Sequence, residues 1–241
     1  MPQPLPNYTA IDILVPNYRK FGIKPQEQGP DIMIDSTATD GVGGHTPTFQ
    51  IRPGTMVVLK TSTGTYFPAA QAGTGADTNK PAVVTSTGTG DATWNSAVMT
   101  FVLKGGQSFT VTLGGATATA AAAATNLNAN AIFAANFVAT ANGSNQLVVT
   151  TLQGGADEYF TVSCSATSMY GNTTPNGGQG SDADYRITED FVYLQDENGN
   201  AINGLVMNTQ VGGSFITPNL LQTNAEGLAQ FARKGAKFYA S

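Results

Sequence analysis

The amino-acid sequence predicts a mainly β protein: a small β-barrel or β-sandwich-like body with an extended N-terminal arm and an inserted α+β domain. Three observations predict it. Short runs rich in Val, Ile, Thr, Phe and Tyr recur along the chain, each closed by Gly, Pro, Asn or Asp, the punctuation of strands and turns. Six of the twelve prolines fall before residue 31. Between about 98 and 165 the pattern becomes strand, strand, helix, strand, strand.

Residues 1–30 form the predicted arm. Pro2, Pro4, Pro6, Pro16, Pro25 and Pro30 remove backbone donors and restrict the residues before them, which argues against a long helix or a central strand. The same stretch carries Tyr8, Ile11, Ile13, Leu14, Val15, Tyr18 and Phe21, too much apolar surface for a free tail. Two resting places are open to it: another subunit, or its own domain.

The body is read from 31–97 and 166–241. Asp31–Ser36 alternates roughly, and residues 40–47 (DGVGGHTP) make a turn-rich loop. Thr48–Ile51 leads through the Pro53-Gly54 turn into a strong strand, Thr55–Lys60. The chain turns at Gly64, resumes at Tyr66–Pro68, loops over 71–80 and offers a further strand at Pro81–Thr85. Residues 166–183 read as a Gly/Asn-rich linker. Tyr185–Gln195 returns to β, Asp196–Asn200 makes a polar hairpin turn into Ala201–Val206, and Val211–Ile216 is a weaker strand. Asn224–Arg233 reads as a short helix capped by Asn224 and ended at Gly235, before a terminal strand Lys237–Tyr239.

The inserted domain, 98–165, opens with strands at Phe101–Lys104 and Ser108–Leu113, in which Phe109, Val111 and Leu113 share one face. The helix follows over 117–131, with Ala120, Ala124, Leu127 and Ala131 as a small apolar stripe that suits close packing on a sheet. A turn around Asn142-Gly143 separates the apolar run Ile132–Val138 from Leu147–Leu152, and Tyr159–Ser163 closes the ββαββ-like unit.

Composition bounds the function. Eleven Lys/Arg and sixteen Asp/Glu in 241 residues give a net charge of −5, and the basic residues are scattered rather than gathered on one face, which argues against nucleic acid as a direct partner. The longest apolar runs fall short of the roughly 18 residues a membrane span needs, and the N-terminus lacks the pattern of a secretory signal. So few charges on a Gly- and Thr-rich chain suit a component of an assembly, whose neighbours cover its surface.

Side chains that could run a reaction are scarce. His45 is the single histidine and Cys164 the single cysteine, so neither a metal-ligand spacing nor an intrachain disulfide is available. Cys164 falls in phase with Phe160 and Val162, as a small buried hydrophobe would. In the acidic doublets Asp157-Glu158 and Glu189-Asp190, adjacent strand residues point to opposite faces, which does not set two carboxylates on one substrate. The run Asp196–Asn200 has the oxygen ligands of a Ca²⁺ loop without its spacing and reads as a turn. Trp94 suits a core or an interface equally. The expectation is a protein that is not an enzyme and needs neither cofactor nor metal.

The segment IRPGTMVVLKTSTGTYFPAA (51–70), followed by KPAVV (80–84), resembles the repeated theme of tailed-bacteriophage head decoration, or capsid cement, proteins: a Pro-Gly turn, a strand and a short Gly turn. The C-terminal blocks ADYRITEDFVYLQDENGNAINGLV (183–206) and NAEGLAQFARKGAKFYAS (224–241) resemble the close of those proteins, with a hairpin, a short helix and a last strand. The inserted unit is similar to ββαββ modules of phage virion surface proteins, and minimal decoration proteins lack it. The resemblance implies a homotrimer on the outer surface of the capsid that binds the major capsid protein and stabilises the mature shell. On that reading Tyr8, Ile11, Ile13, Leu14, Val15, Tyr18 and Phe21 of the arm carry capsid contact. The alternative is a tail-tube, fibre or adhesin component of a phage virion.

Overall fold

The computed structural model describes residues 27–39, 50–172 and 174–240. Its elements run β1 (Glu27–Gly29), β2 (Ile32–Ile34), β3 (Gln50–Ile51), β4 (Met56–Lys60), β5 (Thr65–Pro68), β6 (Pro81–Thr85), β7 (Val98–Leu103), β8 (Ser108–Thr112), α1 (Ala120–Ala129), α2 (Ala131–Ala134), β9 (Phe137–Ala141), β10 (Leu147–Gly154), β11 (Tyr159–Cys164), α3 (Thr167–Tyr170), β12 (Asn176–Gln179), β13 (Tyr185–Thr188), β14 (Val192–Tyr193), β15 (Gly204–Val206), β16 (Thr209–Gly212), β17 (Ser214–Ile216), α4 (Ala225–Arg233) and β18 (Lys237–Tyr239). The protein is mainly β. It divides into two compact units, one of residues up to 78 with 183–241, the other of residues 79–182.

The second unit is wider than the 98–165 read from sequence. β6, expected in the body, pairs with β10, and the stretch expected as a linker supplies α3 and also β12, which pairs with β11. Without these two strands the backbone donors and acceptors on the open sides of β10 and β11 would lack partners. The first unit likewise begins earlier than 31, because Glu27–Gly29 at the end of the proline-rich stretch pairs with β16.

In the first unit a curled seven-stranded sheet has the order β1-β16-β13-β4-β5-β2-β15. Its neighbours run antiparallel except β2 and β5. Period-two alternation along β4 sends Met56 and Val58 to one face and Val57 and Leu59 to the other, and both faces are covered. Met56, Val58, Tyr185 and Ile187 pack with Phe215, Leu220 and Phe231 of the C-terminal segment, where Phe215 meets Phe231 edge-on at 5.9 Å. On the opposite face Val57, Tyr66, Ile32 and Ile34 pack with Ile51, Val192 and Leu194, from the β3–β14 ribbon and the residue after it. This double burial explains why TMVVLK reads as a nearly unbroken apolar run.

Helix α4 starts where Asn224 Oδ1 accepts from Gly227 N at 2.7 Å. It lies so close to the sheet that a Cβ on Gly227 would fall 2.5 Å from Met56 Sδ and 2.8 Å from Tyr185 Cδ1. The stretch expected as one strand over Val211–Ile216 is two, β16 and β17, because Gly213 takes φ 134° and breaks the ladder between them. β17 then takes β18 as a parallel partner.

The unit of residues 79–182 holds two sheets, β6-β10-β9 and β12-β11-β7-β8. The ββαββ order is present, but its two hairpins part company: β7–β8 lies in one sheet and β9–β10 in the other. Thr119 caps α1, its Oγ1 accepting from Ala122 N at 3.2 Å. Asn130 then caps α2, its Oδ1 accepting from Ile132 N and Phe133 N. That second cap is why the run from Ile132 starts as helix and becomes strand only at Phe137. Between the sheets Phe101 meets Phe109, Phe133 and Phe137 at 5.2, 5.3 and 5.5 Å, and Phe137 meets Phe160 at 4.7 Å. Such aromatic pairs contribute about 0.5–1.5 kcal/mol each beyond the area they bury. Trp94 belongs to this core, fully buried, with Nε1 donating to Ser168 Oγ at 3.2 Å.

Candidate interaction surface

Residues 200–208 (NAINGLVMN) contain no charge and no proline. They include β15, which ends the seven-stranded sheet and, among the described residues, pairs with β2 alone. Charges and prolines are the usual protection of an edge strand, and this one has neither. Alternation sets Val206 inward against Ile32 and Ile34, all buried. Leu205 and its cross-strand partner Met33 point the other way and are 55% and 38% exposed, flanked by Met207 at 65% and Ile202 at 41%.

Two local features hold this edge in place. Gly204 brings the β15 backbone against β14, with a hypothetical Cβ 2.3 Å from Val192 Cγ1 and 2.9 Å from Tyr193 O. Upstream, Asp196 Oδ1 accepts from Asn198 N at 2.9 Å and Asn200 N at 2.8 Å, while its Oδ2 accepts from Asn200 Nδ2 at 2.8 Å. The hydrogen bonds from Asn200 hold this carboxyl below its ordinary range. Both oxygens thus serve the turn of the DENGN run, the role expected of it.

A second apolar surface lies within the unit of residues 79–182. Val83 and Val138 flank Thr150 across β6-β10-β9, and Leu152 follows on β10. Val83, Val138 and Leu152 are 43%, 41% and 52% exposed. This face carries threonines as well, Thr85 and Thr140 lying opposite Val148.

The other residues singled out in the sequence are dispersed. Tyr8, Ile11, Ile13, Leu14, Val15, Tyr18, Phe21 and His45 lie outside the described residues. Cys164 is buried in the core, and that burial pushes its thiol up. Glu158 pairs with Lys104, and Asp190 accepts from Asn208 Nδ2 at 2.7 Å. Among the described residues no three His, Cys, Asp or Glu gather as a metal site would require, and no helix is long and apolar enough to cross a membrane. Sequence reasoning found the strand at Ala201–Val206 but missed that its outer face is bare. The signal was the charge-free run 200–208, which only edge position turns into a surface.

No family model matches the sequence, and no curated protein matches it. Among solved structures, the chain is similar to the D2–D3 domains of the flagellar cap protein FliD from Serratia marcescens, at 10% sequence identity and a TM-score of 0.37, over 76% of this chain and 94% of that one. A likeness at that level carries no inference about what the chain does.

Proposed function

We propose that this chain is a non-enzymatic capsid decoration protein, which binds the outer surface of a phage head through its N-terminal arm and stabilises the mature shell. One observation carries the reading. The segments that resemble decoration proteins, 51–70 on one side and 183–206 with 224–241 on the other, are far apart in sequence yet fall in one unit, around the same seven-stranded sheet. β4 of the first block pairs with β13 of the second, and α4 of the second packs on Met56 of the first. The KPAVV segment departs from this, since β6 belongs to the other unit.

On this reading the function is mechanical. A shell under pressure from packaged DNA fails where its subunits meet, and a clamp across that boundary adds buried contact there. Many weak contacts repeated by symmetry add up, because each raises the effective concentration for the next. A surface with few charges keeps the desolvation cost of such contacts low.

The test is co-sedimentation of the purified full-length chain with expanded empty heads, followed by thermal disruption of those heads. Binding and a raised disruption temperature support the proposal. Deleting residues 1–24 is expected to abolish binding and keep the thermal unfolding transition. Failure to bind heads, together with hexameric rings or attachment to host cells, would replace it with a tail, fibre or adhesin role.

A further inference from the structure

We infer that the bare edge of β15 receives residues 9–15 from the arm of a second copy of this chain, added as an extra strand. The edge calls for an occupant: among the described residues β15 has a neighbour strand on one side only, the outer side chains Leu205, Met207 and Met33 are apolar and exposed, and no charge or proline guards it. The arm supplies a matching segment. Between Pro6 and Pro16 the run Asn7–Val15 has no proline, and Ile11, Ile13 and Val15 recur every second residue with a single charge, Asp12, between them. A strand with that pattern lays Ile11, Ile13 and Val15 on the side of Leu205 while its backbone pairs with the edge.

Chain geometry favours a second copy over the same molecule. β1, where the arm joins the sheet, lies at the edge opposite β15. Residues 16–26 connect the segment to β1, and eleven residues reach at most about 36–40 Å when fully extended. Six interstrand spacings put the edges about 29 Å apart along the sheet, and over the strands between them each face carries a packed layer, the C-terminal segment on one and the β3–β14 ribbon on the other. A path within one molecule must go around one of those layers and so uses up the reach of those eleven residues, whereas the β15 edge of a second copy can be set beside β1 with no such detour. An arm-to-edge contact is head-to-tail, so repeating it covers the β15 of each successive copy, in a ring where the rotation closes and in a filament where it does not.

This inference changes one part of the capsid reading, the division of the arm's apolar residues. It gives Ile11, Ile13 and Val15 to a neighbouring copy and leaves Tyr8, Leu14, Tyr18 and Phe21 for the shell.

The test mixes full-length chains carrying Ile13→Cys with full-length chains carrying Leu205→Cys under oxidation, and maps linked peptides by mass. The native Cys164 is buried and does not compete. A disulfide between positions 13 and 205 of different chains is expected, with at least a several-fold lower yield when Asp12→Cys replaces Ile13→Cys. Leu205→Lys is expected to shift the sedimenting mass to that of one chain while the thermal transition persists. A link that forms only within a doubly substituted chain, no link at all, or a wild-type chain that stays monomeric at micromolar concentration would each overturn the inference. Each of these readouts is independent of head binding.

Discussion

Asn128 of α1 closes the exposed side of strand β9 by itself: its Nδ2 donates to Ala139 O at 2.8 Å and its Oδ1 accepts from Ala139 N at 2.9 Å. β9 ends its sheet, and the carboxamide presents the donor and acceptor a neighbouring strand would. Helix and sheet are therefore joined by polar pairing as well as by the small apolar stripe of α1.

Replacing that amide tests the pairing. Asn128→Ala is expected to lower stability by about 1–2 kcal/mol through two lost hydrogen bonds. Asn128→Asp is expected to be worse at neutral pH, since it keeps one bond and sets a carboxylate against the Ala139 carbonyl. Thermal denaturation of the full chain, with hydrogen exchange at Ala139, reads both.

Neighbouring glycines on β12 should respond oppositely. A Cβ on Gly178 would fall 2.6 Å from Val83 O, a backbone atom that cannot swing aside. On Gly177 the nearest atom would be 3.8 Å away, an ordinary contact. Gly178→Ala is expected to destabilise by about 1–3 kcal/mol, the overpacking range. Gly177→Ala is expected to be neutral or slightly stabilising through lost unfolded-state entropy. Equal denaturation midpoints for the two variants would refute the close approach of β12 to β6.

Gly227→Ala sets two effects in opposition. Helix propensity alone favours alanine by about 1 kcal/mol. The added methyl would meet Met56 Sδ at 2.5 Å and Tyr185 Cδ1 at 2.8 Å. Crowding is expected to win, with a net loss of about 1–2 kcal/mol. Against Met56→Ala the same substitution should cost clearly less, a coupling that a double-mutant cycle measures.

The Tyr66 hydroxyl donates to Asp184 Oδ2 at 2.6 Å, and the Asp184 carboxylate also pairs with Arg186, Nε to Oδ1 at 2.7 Å. Burial, and then the bond to Asp184, push the Tyr66 phenol up to about 12 from the ordinary 10. Folding thus favours the neutral phenol. This contribution is fully present below pH 10 and is lost as pH rises from 10 towards 12. Tyr66→Phe is expected to be less stable than wild type at pH 7 by about 1–2 kcal/mol. The gap should narrow above pH 10, as denaturant titrations at pH 7, 10 and 11.5 would show.

Much of this fold was legible because its signals are local. Alternation at Ser108–Leu113, the apolar run at Thr55–Lys60 and the Asn224 cap each sit in a few consecutive residues. Pairings such as Val58 with Tyr185 join residues far apart, and nothing in either segment names its partner. β12 escaped notice because NGGQ is chosen for close backbone approach, which leaves no apolar pattern. β1 escaped because EQG pairs at an edge without contributing to the core. The candidate surface was half legible: the arm's cluster of apolar residues was visible, but the bare edge emerged only once β15 stood last in its sheet.

The limits of the second unit are tied together. Lys80 N donates to Ser181 O at 2.8 Å and Ser181 N to Lys80 O at 3.0 Å, so the chain leaves the first unit and returns to it at one bridged pair. Such closely opposed residues lie about 5 Å apart, the distance a tight turn spans. To the host chain, then, a hundred-residue segment is interchangeable with a hairpin loop, and a cut at this pair rather than at 98 and 165 is where a graft would leave the host sheet undisturbed.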